Sequence, residues 1–263
     1  MKNRSSFPVS FFMPVYNEED NIESAVKTAI VQLKKISFDF ELILVDDGST
    51  DNTISLIKHF VNRDKRIRLI RHLHNTGYGR AIRTGIENAS KKYTFYTDAD
   101  NQFDLSHLPQ IVKSVTPNRM IIGYRTLRKD SWQRHLMSRV YGGLIKIMFN
   151  VEVTDVNCSF KLFPTFIYRK NVLHSNTVFI DAEMIIRAKH AGLEIIEVPV
   201  SHFRRIGGTS KFELGKKGVM MLIHPGKVLG ILQEIVKFYP TLRGFSATAK
   251  TDKPNGNLSQ SRK

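Results

Sequence analysis

Residues Tyr93-Thr-Phe-Tyr-Thr-Asp-Ala-Asp-Asn-Gln102 contain the stretch around which the chain is organised. The first half predicts a strand that stops at Thr97, and Asp98 and Asp100 follow directly. Two carboxylates at i and i+2 point the same way in extended backbone. With the Gln102 amide they form a set of hard oxygen ligands that suits Mg²⁺ or Mn²⁺. Two interpretations remain open: a metal site that meets a phosphate, or a loop in which Asp and Asn serve turn geometry.

Length and composition predict an ordinary soluble globular protein. The 263 residues suffice for one large α/β domain or two small ones, and 41% are hydrophobic and 24% charged. The single Cys158 excludes a disulfide framework and indicates a reducing, cytoplasmic compartment. The short polar segment before Phe7 does not resemble a signal peptide, and no run of about 18 apolar residues predicts a spanning helix.

The net charge of +16 calls for an anionic partner. Nucleic acid, an acidic membrane surface and phosphorylated small molecules would all qualify. Zinc-finger spacing, an RNP-like aromatic strand and a basic zipper are all missing from the sequence, so no nucleic-acid partner is expected. Phosphates or a membrane surface are therefore favoured.

Strand–loop–helix units repeat along the first half of the chain. Strands are predicted at residues 9–13, 40–45, 67–70, 93–97 and 120–123. Helices are expected between them: one capped by Asn17, one over about 51–61, one opened by Gly77 and Gly79, and one over about 105–115. This order predicts an α/β fold, a Rossmann-like, mostly parallel sheet flanked by helices.

Ligands of such sheets lie beyond the carboxyl ends of the strands. Three polar clusters occupy that edge: the loop from Tyr16 to Glu18, the pair Asp46 and Asp47, and residues 98–102. Acidic pairs at two strand ends repel each other unless a cation or hydrogen-bond donors are present, which favours a metal–nucleotide site. Gly77 can present free backbone N–H groups to a phosphate, or it can serve only the turn.

Seven short motifs lie along about residues 7 to 212. They are Pro14-Val-Tyr16-Asn17-Glu18, Val45-Asp46-Asp47-Gly48-Ser49-Thr50-Asp51, Asn75-Thr-Gly77-Tyr-Gly79, Asp98-Ala-Asp100-Asn-Gln102, Asp155-Val-Asn-Cys158-Ser-Phe160-Lys161-Leu-Phe, Phe179-Ile-Asp181-Ala-Glu183 and Arg205-Ile-Gly-Gly208-Thr-Ser210-Lys211. In this order they resemble family-2 glycosyltransferases of the A-type nucleotide-diphospho-sugar transferase fold, and most of all the dolichol-phosphate mannose synthase branch.

The resemblance implies a donor site for a nucleotide diphosphate sugar. The residues it places there are Pro14, Tyr16, Asn17, Glu18, Asp46, Asp47, Gly77, Asp98, Arg205, Ser210 and Lys211. Asp98, Asp100 and Gln102 would hold a divalent ion, Mg²⁺ or Mn²⁺, which neutralises the charge that builds up as a nucleoside diphosphate departs. Arg205 also fits a solvated surface charge.

The same resemblance implies a lipid-phosphate acceptor at Arg125, Arg134 and Ser138. The segment from Trp132 to Phe149 has apolar residues at helical spacing and interleaved arginines, as in a helix at an anionic interface. A core helix with a solvated basic face is the alternative. The catalytic candidates are Asp100, Asp181, Arg125 and Arg134. Asp181 is a base candidate that could equally serve in positioning or as a first-turn acid.

The chain is expected to have three parts: a catalytic domain over residues 1–212, an amphipathic helical extension over 213–240 and a disordered tail over 241–263. The extension could meet the membrane surface, the domain or another subunit, and its lysines favour the membrane. A Gln-x-x-Arg-Trp motif is missing from the sequence, which counts against processive chain extension.

Together these features predict inverting transfer of one hexose to a polyprenyl phosphate, by a peripheral protein at the cytoplasmic face of the membrane. That reaction belongs to cell-envelope or glycan biosynthesis. A glycolipid or saccharide acceptor is the alternative, followed by an inactive membrane-associated module of the same fold. The sequence leaves open the donor's base and sugar, the oligomeric state and any accessory membrane subunit.

Overall fold

The fold is taken from a computed structural model of the chain. It describes residues 7–126, 132–170, 172–203, 205 and 225–244. None of the described helices is both long and apolar enough to cross a membrane.

Seven strands and eight helices occur in the described part of the chain. The strands are β1 (Val9–Val15), β2 (Phe40–Asp46), β3 (Ile67–Arg71), β4 (Tyr93–Thr97), β5 (Arg119–Arg125), β6 (Phe160–Pro164) and β7 (Glu194–Val200). The helices are α1 (Ile22–Ile36), α2 (Thr53–Arg63), α3 (Tyr78–Asn88), α4 (Leu108–Ile111), α5 (Trp132–Phe149), α6 (Phe166–Lys170), α7 (Ile180–His190) and α8 (Pro225–Gly244).

The strands form one sheet in the order β3-β2-β1-β4-β6-β5-β7. Only β6 runs antiparallel to its neighbours β4 and β5, so the prediction of a mostly parallel sheet is confirmed. Because β4 and β5 both run opposite to β6, their carboxyl ends lie at the same edge as those of β1, β2 and β3. The sequence patterns predicted five of these strands; β6 and β7 are additional.

Alternating side chains of the central strands supply two cores, one on each face of the sheet. On one face, Phe11 and Phe95 pack with α1 through buried residues such as Leu33. On the other face, Phe12 and Tyr96 pack with α3 and α7. Helix α7 is buried almost all round, including its polar residues Asp181 and Glu183.

Helix α1 begins at Ile22 and not after Asn17, so the predicted Asn17 cap is wrong. Asn17 adopts φ 52° and links two loops. Its side-chain oxygen accepts from the Thr50 N–H at 2.9 Å, and its own N–H donates to Ser49 Oγ at 2.9 Å. A short polar side chain that tolerates left-handed backbone is suited to such a link.

The predicted helix over 105–115 is broken into shorter pieces. Helix α4 is flanked by 3₁₀ turns at Leu105–His107 and Val112–Ser114. Pro109 lies at the start of α4, where its missing N–H is tolerated. It cannot donate the hydrogen bond that would continue an earlier helical turn.

Helix α8 packs back on the domain in its described part, one of the three arrangements that the sequence left open. Ile235 and Leu242 are buried. The Phe238 ring stacks on Phe179 with centroids 6.3 Å apart, and Tyr239 meets Phe149 edge-on. The helix also continues through Pro240 to Gly244, four residues into the predicted tail.

The contact between α3 and β1 generates the first prediction. A Cβ atom on Gly85 would lie 2.3 Å from Cδ2 of the buried Phe12 ring. We therefore expect Gly85→Ala to lower the free energy of unfolding by about 1–3 kcal/mol, measured by urea denaturation.

Gly143→Ala in α5 is the matched control, because no heavy atom outside the adjoining residues and backbone of the same helix lies within 4 Å of its Cβ position. There the gain in helix propensity should leave stability unchanged or raise it by up to about 1 kcal/mol. Equal effects of the two substitutions would contradict the close packing of α3 on β1.

Candidate functional site

Polar side chains gather at the carboxyl edge of the sheet, as predicted. Asp98 and Asp100 follow β4 there, and Ser159 precedes β6, whose start lies at the same edge because that strand is antiparallel. Asp98 accepts from the Tyr78 hydroxyl at 3.2 Å and from Ser159 Oγ at 2.6 Å. Its carboxylate is therefore fixed by two hydroxyl donors.

The backbone turns sharply after Asp100. Asn101 adopts φ 59°, and its side chain donates to the Asn21 carbonyl at 2.9 Å. Asp100 accepts from the Gln102 N–H at 3.1 Å, and the Gln102 amide donates to the Phe203 carbonyl at 3.0 Å. The turn thus ties the predicted metal ligands to the segment that leads to Arg205.

Burial makes this acidic cluster costly to ionise. Loss of solvent, followed by repulsion from Asp100 and Asp181, raises the pKa of Asp98 to about 7. Burial also raises the pKa of Asp100, against the opposing effects of the Gln102 N–H and Arg205. The pKa of Glu18 is raised for the same reason and is opposed by Arg205. Carboxylates that repel each other in this way favour a bound cation.

The donor set at residues 98–102 fits a hard divalent ion. In the part of the chain that the structure describes, no group of three or more His, Cys, Asp or Glu residues could hold a metal by itself. Asp98, Asp100 and the Gln102 amide would therefore share such an ion with oxygens of a ligand. Mg²⁺ is usually bound in this way, by one or two carboxylates together with substrate phosphates.

Arg205 lies at this edge, and its predicted contact with a diphosphate stays a prediction. Its guanidinium pairs with Glu18 at 2.6 Å, and both side chains are largely buried. Arg205 also lowers the pKa of Asp100, so it is electrostatically part of the acidic cluster. The other two residues expected beside it, Ser210 and Lys211, lie outside the described residues.

Asp46 and Asp47 are buried, and their carboxylates accept hydrogen bonds from other groups of the protein. Asp46 accepts from the Ser49 N–H at 3.2 Å. Asp47 accepts from the Thr76 hydroxyl at 2.7 Å and from the Gly77 N–H at 3.0 Å, and His72 Nδ1 lies 2.8 Å away. Both carboxylates therefore shape the loops at residues 16–18, 46–49 and 75–79, which we call the nucleotide shelf, and direct nucleotide contact stays a prediction.

The remaining shelf residues are also positioned by neighbouring loops. Pro14 lies opposite Val45 near the end of β1, and Tyr16 follows that strand. Gly77 has φ 101°, and a Cβ there would lie 2.9 Å from the Asn176 carbonyl oxygen. Sequence reasoning missed His72 and Thr76, although Thr76 stands between two residues of a quoted motif.

Asp181 is buried in an ion pair. Lys161 Nζ lies 2.5 Å from its carboxylate, and the Tyr96 hydroxyl donates to the same oxygen. The Lys161 ammonium is fully buried and also donates to the Cys158 carbonyl at 2.6 Å. This geometry favours the positioning role of Asp181 over that of a base. The sequence does mark Lys161 as a candidate for a buried ion pair, because it is a charged residue inside the apolar run from Phe160 to Phe163.

Arg125 and Ser138, two of the predicted acceptor residues, line the same cavity of about 500 Å³. Arg139 and Lys146 of α5 line it as well. Asp155 holds the Arg125 guanidinium with two bonds of 2.7 and 2.9 Å. The third predicted acceptor residue, Arg134, lies in α5, but its side chain is outside the described residues.

Helix α5 is apolar on two faces. Ile145 and Phe149 are buried in the core, whereas Val140, Leu144 and Ile147 form an exposed stripe. Ile147 is the most exposed of the three, at 83%. Met148, which was expected to share a face with Val140 and Leu144, packs against the core instead. Around the helix it lies between Leu144 and Ile145, so it borders the buried face.

The fold is that of the A-type nucleotide-diphospho-sugar transferases. A solved structure of glucosyl-3-phosphoglycerate synthase from Mycobacterium tuberculosis, in complex with Mn²⁺, UDP and phosphoglyceric acid, matches with a TM-score of 0.64. The match covers 90% of this chain and 78% of that one at 14% sequence identity. At this identity the likeness concerns the fold alone, and it confirms the predicted fold class.

The sequence pattern of glycosyl transferase family 2 matches residues 10–177. Since this match spans more than half of the chain, the protein belongs to glycosyl transferase family 2, as the seven motifs predicted.

Two curated relatives extend the similarity. One is the undecaprenyl-phosphate 4-deoxy-4-formamido-L-arabinose transferase of Edwardsiella ictaluri, 30% identical over 79% of this chain and 64% of the relative. Another is the dodecaprenyl-phosphate galacturonate synthase of Rhizobium johnstonii, 29% identical over 80% of this chain and 63% of the relative. The chain thus spans just under two thirds of the length of these relatives.

The raised pKa of Asp98 generates the second prediction. The folded protein binds the Asp98 proton more tightly than the unfolded chain, for which the ordinary pKa is 3.8. The stabilising contribution of this proton is therefore present at low pH and is lost as pH rises from about 4 to about 7. Mn²⁺ must displace the same proton, so Mn²⁺ affinity should rise with pH and level off above about pH 7.

Thermal unfolding with EDTA and with Mn²⁺, between about pH 5 and about pH 8, measures both effects. Asp98→Asn should flatten both pH profiles. Glu23→Gln, at an exposed pair with Lys27 on α1, should leave them unchanged. Identical profiles for wild type and Asp98→Asn would refute the assignment of the proton to Asp98.

Proposed function

We propose that the protein is an inverting glycosyltransferase that moves one hexose from a nucleotide diphosphate sugar to a polyprenyl phosphate. The observation that carries the proposal is the surface of α5, where a cavity with basic lining borders an exposed apolar stripe. A polyprenyl phosphate has the matching two parts, an anionic head and a long apolar chain. The cavity lies at the same sheet edge as the acidic cluster, because Arg125 is the last residue of β5.

The donor would occupy the acidic end of the edge. Asp98, Asp100 and Gln102 would hold a divalent ion together with the diphosphate, and the ion would stabilise the charge of the departing nucleoside diphosphate. Arg205 would bind the diphosphate as a second positive charge, with Glu18 fixing its orientation. Ser210 and Lys211 stay predictions for the same group.

The acceptor phosphate would enter the cavity beside β5. Arg125, oriented by Asp155, would present its guanidinium, and Ser138, Arg139 and Lys146 line the same space. The polyprenyl chain would follow the exposed stripe of Val140, Leu144 and Ile147. Arg134 stays a predicted acceptor residue from the same helix.

The reaction asks for little proton transfer. An oxygen of the acceptor phosphate is already anionic and attacks the anomeric carbon, while the bond from that carbon to the nucleoside diphosphate oxygen breaks. Attack from the face opposite the leaving group inverts the anomeric configuration. A base is not required, which agrees with Asp181 being engaged by Lys161 and acting in positioning.

The names of the relatives support this choice of acceptor. The Edwardsiella and Rhizobium proteins are named for undecaprenyl phosphate and dodecaprenyl phosphate. Structural neighbours with bound Mn²⁺ support the divalent ion. A glycolipid or saccharide acceptor is the second candidate. The geometry favours it less, because its nucleophile would be a neutral hydroxyl that needs a base, and Asp181 is engaged by Lys161.

Transfer assays with the full chain supply the third prediction. With Mn²⁺ and a screen of nucleotide diphosphate sugars that includes GDP-mannose and UDP-glucose, label should pass to a short polyprenyl phosphate. The uncharged polyprenol and a panel of glycans should not accept it. Asp100→Asn should lower the rate by about 100-fold, because charge on the leaving group is then poorly stabilised.

Arg139→Gln should raise the KM for polyprenyl phosphate by about 3- to 10-fold and leave the donor KM unchanged. NMR of the product should show inverted anomeric configuration. Retention would refute the mechanism, and transfer to glycans in place of polyprenyl phosphate would refute the acceptor.

We further propose that the protein works as a peripheral protein on the cytoplasmic face of a membrane, where its lipid acceptor would be found. The net charge of +16 and the apolar stripe of α5 beside Arg139 and Lys146 support binding to an anionic surface. An accessory membrane subunit could share this surface and stays open.

Vesicle sedimentation gives the fourth prediction. The protein should bind vesicles that contain anionic lipid, and added salt should weaken binding. Ile147→Glu should reduce binding by about tenfold, because it places a charge in the apolar stripe. Val31→Glu is the control, at another exposed apolar residue on α1. Equal binding by both variants would exclude the α5 stripe as the contact surface.

A further inference from the structure

We propose that Glu234 of α8 is a positioning residue for the nucleotide-sugar donor. It would act through the loop Ser175–Thr177 on the glycine turn Gly77–Gly79 that opens α3. This inference rests on the proposed function, because it takes the glycine turn as part of the donor site. Glu234 lies far beyond residue 177, where the match to the family pattern ends.

The Glu234 carboxylate holds three consecutive residues of one loop. It accepts from Ser175 Oγ at 2.6 Å, from Thr177 Oγ1 at 2.7 Å and from the Asn176 N–H at 3.3 Å. Hydrogen bonds to an ionised acceptor are shorter and stronger than neutral ones. The carboxylate therefore fixes both the backbone and the side chains of this loop.

Two further charged residues hold the loop from the other side. Glu183 of α7 accepts from the His174 N–H at 3.0 Å and from the Ser175 N–H at 2.8 Å. Arg83 of α3 donates to the His174 carbonyl at 3.3 Å and to the Asn176 side-chain oxygen. With Glu234 these contacts leave the loop little freedom to shift.

The loop at residues 175–177 lies in direct contact with the glycine turn. The Gly79 N–H donates to the Asn176 carbonyl at 3.1 Å. A Cβ on Gly79 would lie 2.6 Å from the Ser175 carbonyl oxygen, and one on Gly77 would lie 2.9 Å from the Asn176 carbonyl oxygen. A displacement of the loop would therefore move the turn or break its hydrogen bond.

The glycine turn is thus held from two sides. Asp47 accepts from the Gly77 N–H, and Asn176 accepts from the Gly79 N–H. The first contact belongs to the nucleotide shelf, and the second depends on Glu234. Helix α8 would then help to position the donor site in addition to packing on the core.

The test is a binding measurement on the full chain. Isothermal titration of UDP and of GDP, with Mn²⁺, should give a dissociation constant about tenfold higher for Glu234→Gln than for wild type. In transfer assays the donor KM should rise by a similar factor, while the KM for polyprenyl phosphate should not change. Thr177→Val should weaken nucleotide binding in the same direction, and its effect should not add to that of Glu234→Gln.

Glu194→Gln is the matched control. Glu194 pairs with Arg119 at the opposite edge of the sheet, where β5 and β7 begin, so nucleotide binding should not change. If Glu234→Gln does not fold, Thr177→Val and Ser175→Ala carry the same expectation. A folded Glu234→Gln protein that binds the nucleotide as wild type does, with or without a lower melting temperature, would overturn the inference. Failure of wild type to bind UDP, GDP or any other nucleoside diphosphate would instead refute the proposed function, and this inference with it.

Discussion

The repulsion between buried carboxylates at the carboxyl edge of the sheet is the constraint on which the site depends. Each acid is compensated differently. Asp181 has the buried ammonium of Lys161, and Glu18 has the guanidinium of Arg205. Asp98 accepts hydrogen bonds from two hydroxyl groups. They lower its pKa but do not outweigh burial, so the pKa remains raised to about 7. The strongest demand for an added cation therefore arises at residues 98–100.

The same constraint explains why the loops at this edge are bound so firmly to one another. Parallel strands deliver their loops side by side but do not connect them, so side chains must do so. Asn17 links the first loop to the second through Thr50, and Asp47 links the second to the third through Thr76 and Gly77. A rigid shelf results before any ligand binds, which reduces the ordering cost of binding.

The sequence was most informative where strands are buried on both faces. The run that became β2 was predicted because nearly continuous apolar residues followed by a polar loop are typical of parallel strands. Strand β6 was not predicted because Lys161 interrupts its apolar run. Only the tertiary ion pair with Asp181 explains a lysine there. The Asn17 cap failed for a related reason, since its partner Thr50 is distant in sequence.

The predicted site residues came together for the donor more fully than for the acceptor. The residues predicted for the donor lie in short local motifs, whose positions can be read from the sequence. They are Glu18, Asp98, Asp100, Gln102 and Arg205. Arg125 and Ser138 share a cavity, but the two-bond pairing of Arg125 with Asp155 could not be foreseen from spacing. Likewise, two apolar faces on α5 cannot be sorted into core and surface until the neighbours of the helix are known.

The insertion of β6 between β4 and β5 connects the proposed donor site with the proposed acceptor site. The chain that leads into this strand serves three partners in turn: Asp155 orients Arg125 beside the cavity, Ser159 holds Asp98, and Lys161 neutralises Asp181. Because these three residues lie within seven positions of one another, a shift of the segment would move all three contacts together. A parallel strand at this place would begin at the opposite edge of the sheet, and the residues before it could not reach Asp98. The antiparallel direction of β6 is therefore what lets one short segment hold residues of both the proposed donor site and the proposed acceptor site.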